Sequence, residues 1–139
     1  STVDDYVDGI SVDAAIVMTM DNTSSVNVYV EYTAALNEFT VDELIFDNEG
    51  AQPAAFNVEV GYLMGIDDFE TQFAVSYQGT KEASALALPE ERIAIAASTL
   101  IADNTTLGIE LSRDIDYEVG DGGSGESANM IVAQLAVVF

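Results

Sequence analysis

Cysteine, histidine and tryptophan are absent from this 139-residue sequence, and only three basic residues, Lys81, Arg92 and Arg113, are present. Without cysteine there is no disulfide framework, no thiolate metal site and no thiol nucleophile. Without histidine there is no imidazole base or ligand, so serine–histidine and cysteine–histidine hydrolases are excluded. Against 25 carboxylates the three cations leave a formal charge of −22. Nucleic acid and phosphate ligands need positive charge that is missing here, so no nucleic-acid partner is expected. Long apolar runs are missing as well, which excludes a membrane helix. No signal peptide opens the chain, and Ser1 fits the start of a mature, exported protein.

What is present is apolar content: 49% of residues are hydrophobic and the mean hydropathy is positive, +0.22. Disorder needs low hydrophobicity along with charge, so this chain folds, as one domain over residues 1–139. The apolar residues recur with period two. Ile10, Val12, Ala14, Ile16 and Met18 alternate with Ser11, Asp13, Ala15 and Val17. The same pattern recurs in "VNVYVEY", "FNVEVGY", "QFAVSY", "RIAIAAST", "TTLGIELS" and the closing "ANMIVAQLAVVF", with a weaker match in "VDELIF". Asx- and Gly-rich turns separate these segments. The expected fold is all-β: an antiparallel up-and-down meander of about eight strands.

One face of each strand is aliphatic or aromatic. The other carries Asp13, Glu31, Glu59 and Glu110 among Asn, Gln, Ser, Thr, Gly and Ala. Carboxylates do not sit unpaired in a dry core, and three basic residues cannot neutralise them, so the polar face is wet. A sheet with one wet and one apolar face is half of a soluble sandwich or barrel with the apolar face inside, or the wall of a membrane barrel with lipid outside and water within.

The blocks "AFNVEVGY", "AVSYQGTKEASALALPEERIAIAAS", "IADNTTLGIE" and "RDIDYEVGDGGSGESANMIVAQLAVVF", with the upstream "VDDYVDGISVDAAIVM" and "EYTAALNEFTVDELIF", resemble the closing strands of the siderophore-porin family of proteobacterial outer membranes (the LbtU type). The resemblance spans most of the chain, although members of that family are longer and have more strands. It implies a non-enzymatic outer-membrane β-barrel in passive uptake or a surface role. Its partners would be outer-membrane lipid and the barrel-assembly machinery. The last strand, with Leu135, Val137 and Phe139, would carry the assembly signal.

On this reading Tyr32, Phe56, Tyr62, Phe73, Tyr77 and Phe139 form interfacial girdles, and Asp13, Glu31, Glu59 and Glu110 line a cation-attracting lumen. The alternative is a secreted acidic β-sandwich, outside the cell, that self-associates into filaments by strand addition. The carboxylate pairs Glu90–Glu91 and Asp67–Asp68 suggest a glycosidase only weakly, and no catalytic residue or cofactor is expected. Within the glycine-rich "RDIDYEVGDGGSGES", Asp116, Glu118 and Asp121 are candidate oxygen ligands for a weakly held calcium ion, though their spacing is not that of an EF-hand.

Overall fold

In a computed structural model, which describes residues 6–66 and 69–139, the alternating segments become the strands β1 (Gly9–Thr19), β2 (Ser24–Ala35), β5 (Ala54–Ile66), β6 (Phe69–Lys81), β7 (Glu91–Ala102), β8 (Thr105–Ile115) and β9 (Ser127–Val137). They form one antiparallel sheet in the order β1-β2-β5-β6-β7-β8-β9. The all-β meander is therefore present, with seven strands in its sheet. "VDELIF" does not join it. Only its last two residues are extended, as β3 (Ile45–Phe46), which pairs with β4 (Glu49–Gly50) in a separate hairpin. Asp47 and Asn48 turn that hairpin with φ of 49° and 65°. This is the doubly positive loop that Asx residues tolerate best after glycine.

The sheet is open at both edges. β1 and β9 are the two edges of the sheet and do not pair with one another, so the seven strands do not close by themselves. No second sheet stacks on the first among the described residues, so they do not make a sandwich either.

The connections differ sharply between the two ends of the sheet. At one end β1–β2 and β7–β8 are joined by tight turns, Met20–Thr23 and Asp103–Asn104. Asp21 Oδ1 accepts hydrogen bonds from Thr23 N at 2.8 Å and Thr23 Oγ1 at 3.1 Å, fixing the first of these. At the other end the chain makes three longer excursions: 36–53 with the β3–β4 hairpin, 82–90, and 116–126.

Burial is inverted relative to a water-soluble sheet. On β7, Ala94 is 7% exposed while its apolar neighbours Ile93 and Ile95 are 46% and 49% exposed. On β8, Ser112 is buried between the exposed Leu111 and Arg113. Small and polar residues occupy the sheltered face, and aliphatic and aromatic ones the open face. Four apolar residues are buried among the described residues: Ala51, Ala83, Ala94 and Tyr117.

The apolar face is a continuous band that crosses the strands obliquely. On β1 and β2 it reaches Ile10 and Ala34, which pair with each other. On β8 and β9 the positions nearest the long loops are Arg113, Ser127 and Asn129, and, apart from Ile115, aliphatic residues resume only at Leu111 and Ile131. Followed through the register, this border slides toward the tight turns by roughly six residues, about 20 Å at ~3.3 Å per residue. The six interstrand steps, at ~4.8 Å each, span about 29 Å, so the border inclines by about 35°. The opposite border moves the same way but less, from Met20 and Met64, which lie in the row of Ser24, to Val137 on β9, two residues beyond that row.

Aromatic residues flank the band. Tyr32 pairs with Phe56 toward the long loops, and Tyr62 pairs with Phe73 toward the tight turns. Phe56 and Tyr77 have ring centroids 5.5 Å apart. The Phe56 ring lies over Gly79, where a Cβ would overlap it. Along β5, Phe56 and Tyr62 are about 20 Å apart at ~3.4 Å per residue.

Candidate functional site

The sheltered polar face and the loops above it are where polar chemistry converges. Across the sheet, one register row reads Asp13, Glu31, Asn57, Gln78, Arg92 and Asp114. Each strand contributes a residue of the same parity, so all six side chains fall on one face. Arg92 and Asp114 form a two-pronged pair, with Nε donating to Oδ1 and Nη2 to Oδ2, each at 2.6 Å. Tyr29 Oη donates to Glu31 Oε2 at 3.2 Å.

The four expected lumen acids do lie on this face, but they are not one group. Asp13 and Glu31 are directly opposite. Glu59 lies opposite Tyr29 in the next row. Glu110 lies between Ala96 and Val132, on β8 toward the far edge of the sheet.

The loops meet in a small knot around Tyr117, which is 3% exposed. Its hydroxyl is 2.6 Å from Thr80 Oγ1 and accepts from Ala83 N at 3.2 Å. Its ring meets that of Phe46 edge-on at 5.9 Å. One tyrosine thereby ties all three long connections together. Thr80 Oγ1 also lies 2.7 Å from the Pro89 carbonyl and can donate to it, drawing the 82–90 loop over the polar face. Gln52 N donates to Glu82 Oε2 at 2.7 Å, joining the first loop to the second.

Within the 116–126 loop, the Asp116 carboxylate accepts from Tyr117 N at 2.9 Å, and from Ser124 N and Ser124 Oγ at 2.7 Å each. These bonds, those from Ser124 above all, hold its pKa below the ordinary 3.8. A Cβ on Gly123 would overlap the Tyr117 carbonyl, so that position requires glycine.

The calcium expectation is corrected here. Asp116 spends its oxygens on the loop's own donors, and no group of three or more Asp or Glu side chains converges on a common point among the described residues. Asp116, Glu118 and Asp121 thus form no metal cage. Of the two carboxylate pairs, Glu90 precedes β7 and Glu91 opens it in the row of Gly79 and Ile115, on the face opposite Arg92. Asp67 and Asp68 lie outside the described residues.

Leu135 and Val137 occupy the apolar face of β9, opposite Leu107 and Thr105, and Phe139 extends past the strand fully exposed. Sequence reasoning did not single out Arg92, Asp114, Asn57, Gln78 or Tyr117. Parity alone would have put the first four on the polar face. Their common row depends on the register, and Tyr117 depends on loop packing.

No family model matches the chain, and no solved structure matches it. It is similar to the UPF0422 proteins of Legionella pneumophila strains Lens and Paris, at 32% identity over 128 residues, covering 81% of this chain and 24% of each relative. It is also similar to the UPF0422 protein of Coxiella burnetii, at 26% identity over 122 residues, covering 78% of this chain and 26% of that protein. These names correct the resemblance to siderophore porins. All four matching relatives are named UPF0422 proteins, and none carries a siderophore-porin name. The chain spans about a quarter of the length of the relatives it matches.

Proposed function

We propose that these seven strands are a section of a larger outer-membrane β-barrel. The apolar band faces lipid, the polar face lines a water-filled lumen, and the long loops lie on the exterior side. The role is passive and non-enzymatic, as conduit or surface structure. The observation that carries this reading is the open apolar face. It crosses every strand of the seven-stranded sheet, nothing among the described residues covers it, and the border toward the long loops inclines by about 35°, close to the tilt of strands in membrane barrels. In water such a face would be a severe aggregation liability, whereas in lipid it is the stable arrangement. The tight turns at one end and long loops at the other, and the aromatics on both borders, fit the same architecture. Unpaired β1 and β9 edges are intolerable in lipid, and further strands resolve them. The matched relatives are roughly three times as long as this chain, ample for such strands.

The chain has no tryptophan, so a single introduced one reports its surroundings cleanly. In vesicles of brominated lipid, Val75→Trp and Ile95→Trp should be quenched, and Ser76→Trp should not. Equal quenching at all three, or a protein freely soluble without detergent, would defeat the proposal. The second outcome would favour the secreted filament, for which the eleven-residue edges β1 and β9 offer ready sites of strand addition.

A further inference from the structure

Beneath residues 87–89 of the second long loop lies a cavity of about 340 Å³, bounded by the polar faces of β2, β5, β6 and β7. Its size suits a small molecule. Glu31, Asn57, Gln78 and Arg92 supply polar wall, and Leu88 and Pro89 supply an apolar lid. Arg92 is already engaged by both oxygens of Asp114.

Among the groups left over are two acceptors. Asn57 Oδ1 is buried with no hydrogen-bond partner. Glu31 receives one bond, from Tyr29, and faces the like charge of Asp13 across the β1–β2 ladder, an arrangement that is destabilising unless a cation intervenes. None of the protein's three basic residues is placed to help. Lys81 lies 3.5 Å from Glu82, Arg92 binds Asp114, and Arg113 bonds Ser127 on the opposite face.

We propose that this cavity binds a small organic cation carrying primary ammonium groups. An ammonium has three donors and no acceptor, the complement of the Glu31 carboxylate and Asn57 Oδ1. Acceptors on neighbouring strands ~4.8 Å apart can be bridged by one nitrogen at ~2.9 Å from each, so the Glu31 carboxylate and Asn57 Oδ1 can share it. The ligand's carbon chain lies against Leu88 and Pro89. A bare metal ion would leave that apolar lid unused and would find too few carboxylates. The formal charge of −22 concentrates cations at the surface and favours their entry. The cavity forms within these strands and loops, so the inference does not require a closed barrel.

Calorimetric titration of the 139-residue chain with 1,4-diaminobutane at fixed ionic strength tests it, in detergent micelles or, if the protein proves water-soluble, in plain buffer. Saturable one-site binding is expected, with no comparable binding of 1,4-butanediol. Glu31→Gln should weaken the diamine about tenfold, the loss of one charge-assisted contact. Glu38→Gln, which removes the same charge from an exposed loop position, should leave affinity within about twofold, a change well below one lost contact. Asn57→Asp should tighten binding, a gain that misfolding cannot imitate. Absent saturation, equal binding of the diol, equal losses in the two Glu variants, or no gain with Asn57→Asp would each overturn the proposal.

Discussion

Tyr117 shows how much a single side chain can organise where there is little core. Its hydroxyl serves Thr80 and the buried Ala83 N–H, and its ring meets Phe46. Tyr117→Phe keeps the ring and removes the hydroxyl. It should destabilise the loop knot by about 1–3 kcal/mol, because Ala83 N is left buried without an acceptor. Faster amide exchange at Ala83, with β5–β8 unchanged, is the expected readout. Asp116 makes the same loop pH-dependent. Its pKa is depressed in the folded state, so its contribution is present above the ordinary carboxylate pKa and is lost as pH falls through the folded value. Ser124 N–H exchange should therefore accelerate as pH drops below about 4, after correction for intrinsic rates. Asp116→Asn should remove that dependence.

Among the strands, alternation has consequences that neighbouring substitutions can separate. Val75 on β6 lies within the apolar band between Val60 and Ile95, and Ser76 lies on the polar face between Glu59 and Ala94. Val75→Arg should cost about 2–4 kcal/mol in bilayers if that face meets lipid, while Ser76→Arg should cost far less. Denaturant titration of both variants in vesicles checks this, and similar costs would argue against a lipid-facing band. Pairing between strands is testable at Arg92 and Asp114. Arg92→Lys keeps the charge but loses the two-pronged geometry, so it should recover only part of the stability lost in Arg92→Ala.

For the whole molecule, the open edges dominate. β1 and β9 each present eleven residues of backbone with one side unpaired. Produced alone in detergent, the chain should associate through those edges, with sedimentation showing species larger than a monomer. A stable monomer with all β1 and β9 amides protected would instead mean that the seven strands close on themselves. If the proposed larger barrel supplies neighbouring strands, those amides should be protected in it without self-association.

The period-two pattern, with the short turns between its segments, by itself determined the seven sheet strands, their antiparallel order and the division into a wet and an apolar face. Those properties follow from local geometry, since successive side chains must point to opposite sides. The wet carboxylates Asp13, Glu31, Glu59 and Glu110 were legible for that reason. Alternation could not reveal that "VDELIF" stays out of the sheet, because two-residue pairing and loop packing decide so weak a segment. Nor could it reveal the row joining Asn57, Gln78, Arg92 and Asp114, because a row is a property of register between strands distant in sequence. The glycine-rich 116–126 segment reads as a cation loop in composition, yet its leading carboxylate is satisfied by the loop's own N–H and O–H groups. Only the tertiary structure decided which acceptors remained free, because hydrogen-bond partners are settled when the loops fold back onto the sheet.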